Sequence, residues 1–141
     1  MSLLGELLQG KEMFAINSGS NIKECVCFMA EKGIGLLPVM KGYRLVGVFS
    51  ERDLVNRVIA KDRDLNEIMV DDVMSTDLVT ANIDDSHEVA FARMQQAKIR
   101  HILIMDGEDL AGVLSMGDLL ETDLLSCKST VEVLNNYIYS R

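Results

Sequence analysis

The chain has 141 residues, a formal net charge of -8 and 48% hydrophobic residues, which suits one compact domain or two packed half-domains and excludes a disordered chain. The acidic balance, with no Lys/Arg-rich run, argues against nucleic acid as the main partner, because such binding depends on neutralising phosphates. No apolar run is long enough to span a membrane and no signal-peptide pattern is present, so a soluble, cytoplasmic protein is expected.

In chain order, residues 5–9 read as a short leading helix and residues 13–16 as a short strand. The cluster Asn17-Ser18-Gly19-Ser20-Asn21 is a turn in which Ser20 or Asn21 can cap a helix. Ile22, Cys25, Val26 and Met29 then recur at helical spacing, and Gly33 and Gly35 end that helix. Residues 36–40 and 44–49 read as neighbouring strands joined at Lys41-Gly42. A helix over residues 51–60 comes next, with Leu54, Val55, Val58 and Ile59 as its apolar positions.

Residues 61–72 break the pattern with charge and read as a linker with a helical turn near 66–69. The pattern then restarts: strand 78–81, a helix opened by Asp84-Asp85-Ser86 with Val89, Ala90 and Met94, strands 102–105 and 110–114 around Asp106-Gly107, and a helix over 116–125. In the tail, Ser129 or Thr130 can cap a last helix with Val131, Leu134 and Ile138 on one stripe.

Gly47, Ser50 and Asp53 return as Gly112, Ser115 and Asp118 at one offset of 65. The same offset pairs Met29 with Met94, Val39 with Ile104, Gly42 with Gly107 and Leu54 with Leu119. A gap-free match of turns and core positions implies a duplicated β-α-β-β-α unit of about sixty residues. Neither unit is comfortable alone at that size, so a shared core is expected.

Ser-x-x-Asp at a strand-to-helix turn has two readings. As a capping box, the Ser oxygen accepts an orphan N–H and the acid sits near the positive end of the helix dipole, although Asp reaches back less well than Glu. As a binding turn, the helix start suits a phosphate and the carboxylate can take the two hydroxyls of a ribose. Cys25, Cys27 and Cys127, with His87 and His101, do not form a zinc pattern, so no metal site and buried free thiols are expected. Asp84-Asp85 reads as helix-start chemistry rather than a metal site. His101 has no nucleophile and acid partner that would make it a catalytic base, so the chain is expected not to be an enzyme.

A tandem β-α-β-β-α repeat ending each time in Gly-Val-x-Ser-x-x-Asp resembles a pair of cystathionine β-synthase (CBS) domains, the Bateman module, in its stand-alone form. Asp72-Val73-Met74-Ser75 is similar to the segment that opens such a unit, and Ile99-Arg100-His101-Ile102 to the family's Arg-His stretch before the middle strand. Ile34-Gly35-Leu36-Leu37-Pro38-Val39 resembles the same region of the first unit. The resemblance covers about residues 11–125, with CBS domain 1 over 11–62, a linker over 63–73, CBS domain 2 over 74–126 and a helical tail over 127–141.

The resemblance implies an α+β (α/β-type) fold of two repeats related by a pseudo-two-fold axis. It also implies a regulatory module that binds AMP, ADP, ATP, S-adenosylmethionine or NAD in the cleft between them, with no catalytic cofactor. Carried over by position, Ser50 and Asp53 serve one site and Ser115 and Asp118 the other, with the Asp on ribose hydroxyls and the Ser near ribose or phosphate. Gly35 and Leu36, or Arg100 and His101, approach the adenine or phosphate. Arg52, a solvated helix residue or a phosphate contact, faces Gly117 at the paired position, so the two sites are expected to differ. A homodimer and a regulated protein partner are expected. The alternative is a structural or oligomerisation module with vestigial sites that bind no nucleotide.

Overall fold

A computed structural model describes residues 3–124. Of these, Glu12–Leu78 form one compact unit, and the described residues on either side of that stretch form the other. The expected tail helix, and Cys127, lie outside the described residues.

In the unit Glu12–Leu78, strand β1 (Ile16–Asn17) pairs parallel with β2 (Leu36–Lys41), which pairs antiparallel with β3 (Arg44–Ser50). Helix α2 (Ile22–Lys32) starts where the Asn21 side chain accepts the Glu24 N–H and ends at Gly33, whose φ of 66° satisfies the left-handed cap. Helix α3 opens at Glu51–Asp53 and continues as a π-helical stretch over Leu54–Ile59. The stretch expected to be a linker carries the short helix α4 (Val70–Val73), and its Ile68, Val70 and Val73 pack with Ile22, Cys25, Met29, Leu37, Val39, Phe49 and Val58.

The other unit repeats this plan with helix α1 (Leu4–Leu7), β4 (Thr80–Asn82), α5 (His87–Ala97), β5 (His101–Asp106), β6 (Asp109–Ser115) and α6 (Met116–Leu124). Its sheet runs β4-β5-β6, again one parallel and one antiparallel pairing. The two hairpins match residue for residue in burial, and each shifts register at one place, Val39/Met40 and Ile104/Met105. The α+β class and the β-α-β-β-α order are therefore as the sequence implies.

Both leading helices dock alike. The Leu4 N–H donates to Asp85 O at 2.9 Å, and the Val70 N–H to Ser20 O at 2.8 Å. Gly47 and Gly112 leave space for side chains at the C-terminal ends of α4 and α1. A Cβ on Gly47 would stand 2.5 Å from Met74 Sδ, and one on Gly112 2.7 Å from Leu8 Cδ2.

Among the described residues the buried side chains form a cluster in each unit, to which α1 and α4 add apolar residues. Three expectations need correction. The first strand is Ile16–Asn17 rather than 13–16, since pairing begins only at Ile16↔Val39. Val55 and Ile59 are exposed (57% and 54%), because a helix lying on one face buries the Leu54 and Val58 stripe and turns the neighbouring stripe outward. Cys27 is exposed while Cys25 is buried, as a two-residue separation on a helix requires.

Candidate functional site

Each hairpin delivers its Ser to the mouth of the following helix. Leu36 lies opposite Ser50 across β2 and β3, and His101 opposite Ser115 across β5 and β6. The Glu51 N–H donates to Gly35 O at 3.0 Å, and the Met116 N–H to Arg100 O at 2.7 Å. The structure thus brings Gly35 and Leu36 to the first turn and Arg100 and His101 to the second, in equivalent places. Arg52 stands exposed one residue before Asp53 on α3.

Both turns are complete capping boxes. Ser50 Oγ accepts the Asp53 N–H at 3.2 Å and Asp53 Oδ2 accepts the Ser50 N–H at 3.0 Å. In the second turn the corresponding distances are 3.1 Å and 2.7 Å. The short Asp side chain therefore does reach back, contrary to the expectation from its length, because the strand delivers Ser50 and Ser115 in extended backbone directly over the first helical turn.

The cap occupies Oδ2 of each carboxylate, and the other oxygen differs between the turns. Asp53 Oδ1 accepts the Ser75 hydroxyl at 3.1 Å and lies 3.6 Å from Arg57 Nε. Arg57 also donates Nη1 to the carbonyls of Val73 at 3.2 Å and Met74 at 3.1 Å, which ties α3 to α4. Asp118 Oδ1 is 2.9 Å from Lys11 Nζ. Burial opposes ionisation of Asp118, but the Ser115 N–H, the Lys11 ammonium and the Ser115 hydroxyl together outweigh it and hold the carboxyl below the usual aspartate range. Asp53 is the more enclosed, its side chain 8% exposed against 23% for Asp118.

Three residues at the turns escaped the sequence reading. Arg57 was available from its i,i+4 spacing to Asp53. Ser75 lay within the segment that resembles the opening of the second unit, but nothing local aims it at Asp53. Lys11 carries no local signal, since its partner lies near the far end of the described chain.

Chemically, each turn offers a carboxyl group at a helix start, with one oxygen held by the cap and the other meeting Ser75 and Arg57 in the first turn and Lys11 in the second. Such a carboxylate can take hydroxyl donors without losing the cap. Among the described residues no helix is long and apolar enough to cross a membrane.

A family model described as the CBS domain matches residues 5–60 and again 70–124. The chain is 32% identical over 125 residues to the CBS domain-containing protein YhcV of Bacillus subtilis, covering 89% of this chain and 88% of that one. Two other curated relatives are longer, the chain spanning 33% and 59% of them. Among solved structures, a protein with CBS domains from Burkholderia ambifaria superposes with a TM-score of 0.84 at 25% identity, over 90% of this chain and 97% of that one. The CBS domain protein PAE2072 from Pyrobaculum aerophilum, solved in complex with AMP, gives 0.77 at 25% identity, over 95% of this chain and 98% of that one.

Proposed function

The chain belongs to the CBS-domain family as a pair of repeats, and from that premise we propose that it is a non-catalytic, cytoplasmic regulatory module whose two Ser-x-x-Asp turns recognise adenine nucleotides through their ribose. The observation that carries this reading is the division of labour within each carboxylate. Oδ2 holds the helix start, and Oδ1 meets a donor that a ribose hydroxyl can replace. The AMP bound to PAE2072 supports an adenine nucleotide as the ligand class.

Ser50 and Ser115 border the ribose or phosphate, while the backbones of Gly35, Leu36, Arg100 and His101 frame the base. Arg52 offers a phosphate contact at the first turn only. The ligand regulates by favouring one conformation or assembly over another, since a ligand without such a preference shifts nothing. The assembly is a homodimer acting on a partner protein, and the exposed Val55 and Ile59 supply apolar surface for it.

Calorimetric titration with AMP, ADP, ATP, NAD and S-adenosylmethionine tests the reading. Saturable binding of at least one of them is expected, and a flat response to the whole panel overturns it.

A further inference from the structure

The two turns use one carboxylate oxygen alike and the other differently. Asp53 Oδ1 takes the neutral Ser75 hydroxyl at 3.1 Å and lies 3.6 Å from an Arg57 guanidinium that is itself tied to the Val73 and Met74 carbonyls, whereas Asp118 Oδ1 takes the Lys11 ammonium at 2.9 Å. Both donors lie in the segment just after a short leading helix, Ser75 after α4 and Lys11 after α1. Ser75 stands two residues past the end of α4 and Lys11 four past the end of α1, so the two oxygens are met from different places in the chain, by a neutral donor in one turn and a charged one in the other. Lys11 is 40% exposed and Asp118 23%, so the pair stands at an accessible rim.

We propose that Lys11 makes the second turn select nucleotides over nucleosides, holding Asp118 Oδ1 in the free protein and passing its ammonium to the ligand phosphate when ribose hydroxyls take the carboxylate. The proposal rests on the reading of these turns as nucleotide sites and names the selectivity of one of them.

The physical reason is charge conservation at the rim. A nucleoside competing for Oδ1 loosens an ion pair and offers the cation no anion in return. A nucleotide supplies one, and a charge-assisted contact to phosphate replaces the contact to carboxylate. The flexible four-carbon stem of lysine permits that transfer. Beside the 2.9 Å contact, Lys11 is among the groups that hold the Asp118 carboxyl below its usual range and so favour its ionised form. At the first turn one hydroxyl exchanges for another. Arg57 stays tied to the Val73 and Met74 carbonyls, so discrimination there falls to Arg52 and does not depend on Lys11.

The test is an NMR titration of the full chain with adenosine and with AMP, in which the amides of Ser50 and Ser115 report the two turns separately. At Ser115 the parent should bind AMP at least about tenfold tighter than adenosine. Lys11→Met should cut that ratio by about fivefold through weaker AMP binding, with adenosine unchanged or tighter. Lys11→Arg should keep the ratio, and neither variant should alter it at Ser50. A ratio at Ser115 that Lys11→Met leaves intact, including a parallel loss of both ligands, overturns the role of Lys11 and leaves the nucleotide reading standing. A parent in which neither compound shifts either amide overturns this proposal, and the nucleotide reading falls as well only if the wider panel is also silent.

Discussion

The Ser75 hydroxyl donates to Asp53 Oδ1 at 3.1 Å, while the other oxygen of the same carboxylate holds the N-terminus of α3. One buried aspartate therefore joins the helix start to the segment after α4, where Ser75 bridges to Val48. Asp53→Ala removes the cap and leaves the Ser50 N–H and the Ser75 hydroxyl without this acceptor. A loss of about 1–3 kcal/mol is expected in urea unfolding, with Asp53→Asn recovering part of it because its carbonyl can still accept.

For ligand binding, Asp118→Ala should lower AMP affinity at the second turn by at least about tenfold, since charged hydrogen bonds are worth about 1.5–3 kcal/mol each. A 2′-deoxy analogue should lose much of the difference between parent and variant. Calorimetry on Asp53→Ala and Asp118→Ala decides the matter: if both bind AMP as the parent does, the turns are helix caps and nothing more.

Acid should weaken the fold through Asp118. Its folded pKa lies below its unfolded value, so its contribution is present above about pH 4 and lost as pH falls through the folded value. Asp71, held by the Ser18 hydroxyl and the Gly19 N–H, acts in the same direction. Thermal midpoints recorded from pH 5 to pH 2 should fall, and Lys11→Met should flatten the fall because it removes one cause of the depression. An identical slope in the variant would show that Lys11 contributes nothing to it.

Gly47→Ala should cost more than Gly112→Ala. The new Cβ at 47 meets Met74 Sδ at 2.5 Å and also the backbone of Ser75 at 3.0 Å, whereas at 112 its three nearest neighbours are all Leu8 side-chain atoms, the closest at 2.7 Å. Overpacking of this kind costs about 1–3 kcal/mol. Leu8→Ala should partly rescue Gly112→Ala in a double-mutant cycle, and strictly additive losses would argue against the contact.

Thiol labelling should separate the two cysteines of α2. Burial, with the neighbouring Glu24 charge adding to it, pushes the Cys25 pKa up to about 11, so Cys25 carries little thiolate at neutral pH, while Cys27 is exposed. In a Cys127→Ser background, mass spectrometry after brief maleimide treatment at pH 7.5 should find the label on Cys27. Equal labelling of both would show that α2 opens readily.

The sequence by itself determined what depends on near neighbours: the duplicated strand and helix pattern, Gly42 and Gly107 at the hairpins, and Ser-x-x-Asp at the helix starts. These arise from periodicity, turn chemistry and capping, all set within a few residues. The places of Arg100-His101 and Gly35-Leu36 beside the turns came from the family resemblance, and hairpin register is what carries each pair there. Only the tertiary structure decided how the repeats are completed. The family match begins each repeat at its leading segment, at residues 5 and 70, yet Leu4 and Leu8 pack with β4–β6 and Met74 and Ser75 with β3. Each small sheet buries its apolar face with a helix taken from the neighbouring repeat's sequence. That choice brings Lys11 to Asp118 and Ser75 to Asp53, because packing couples residues by distance in space and leaves no local trace in the order of the chain.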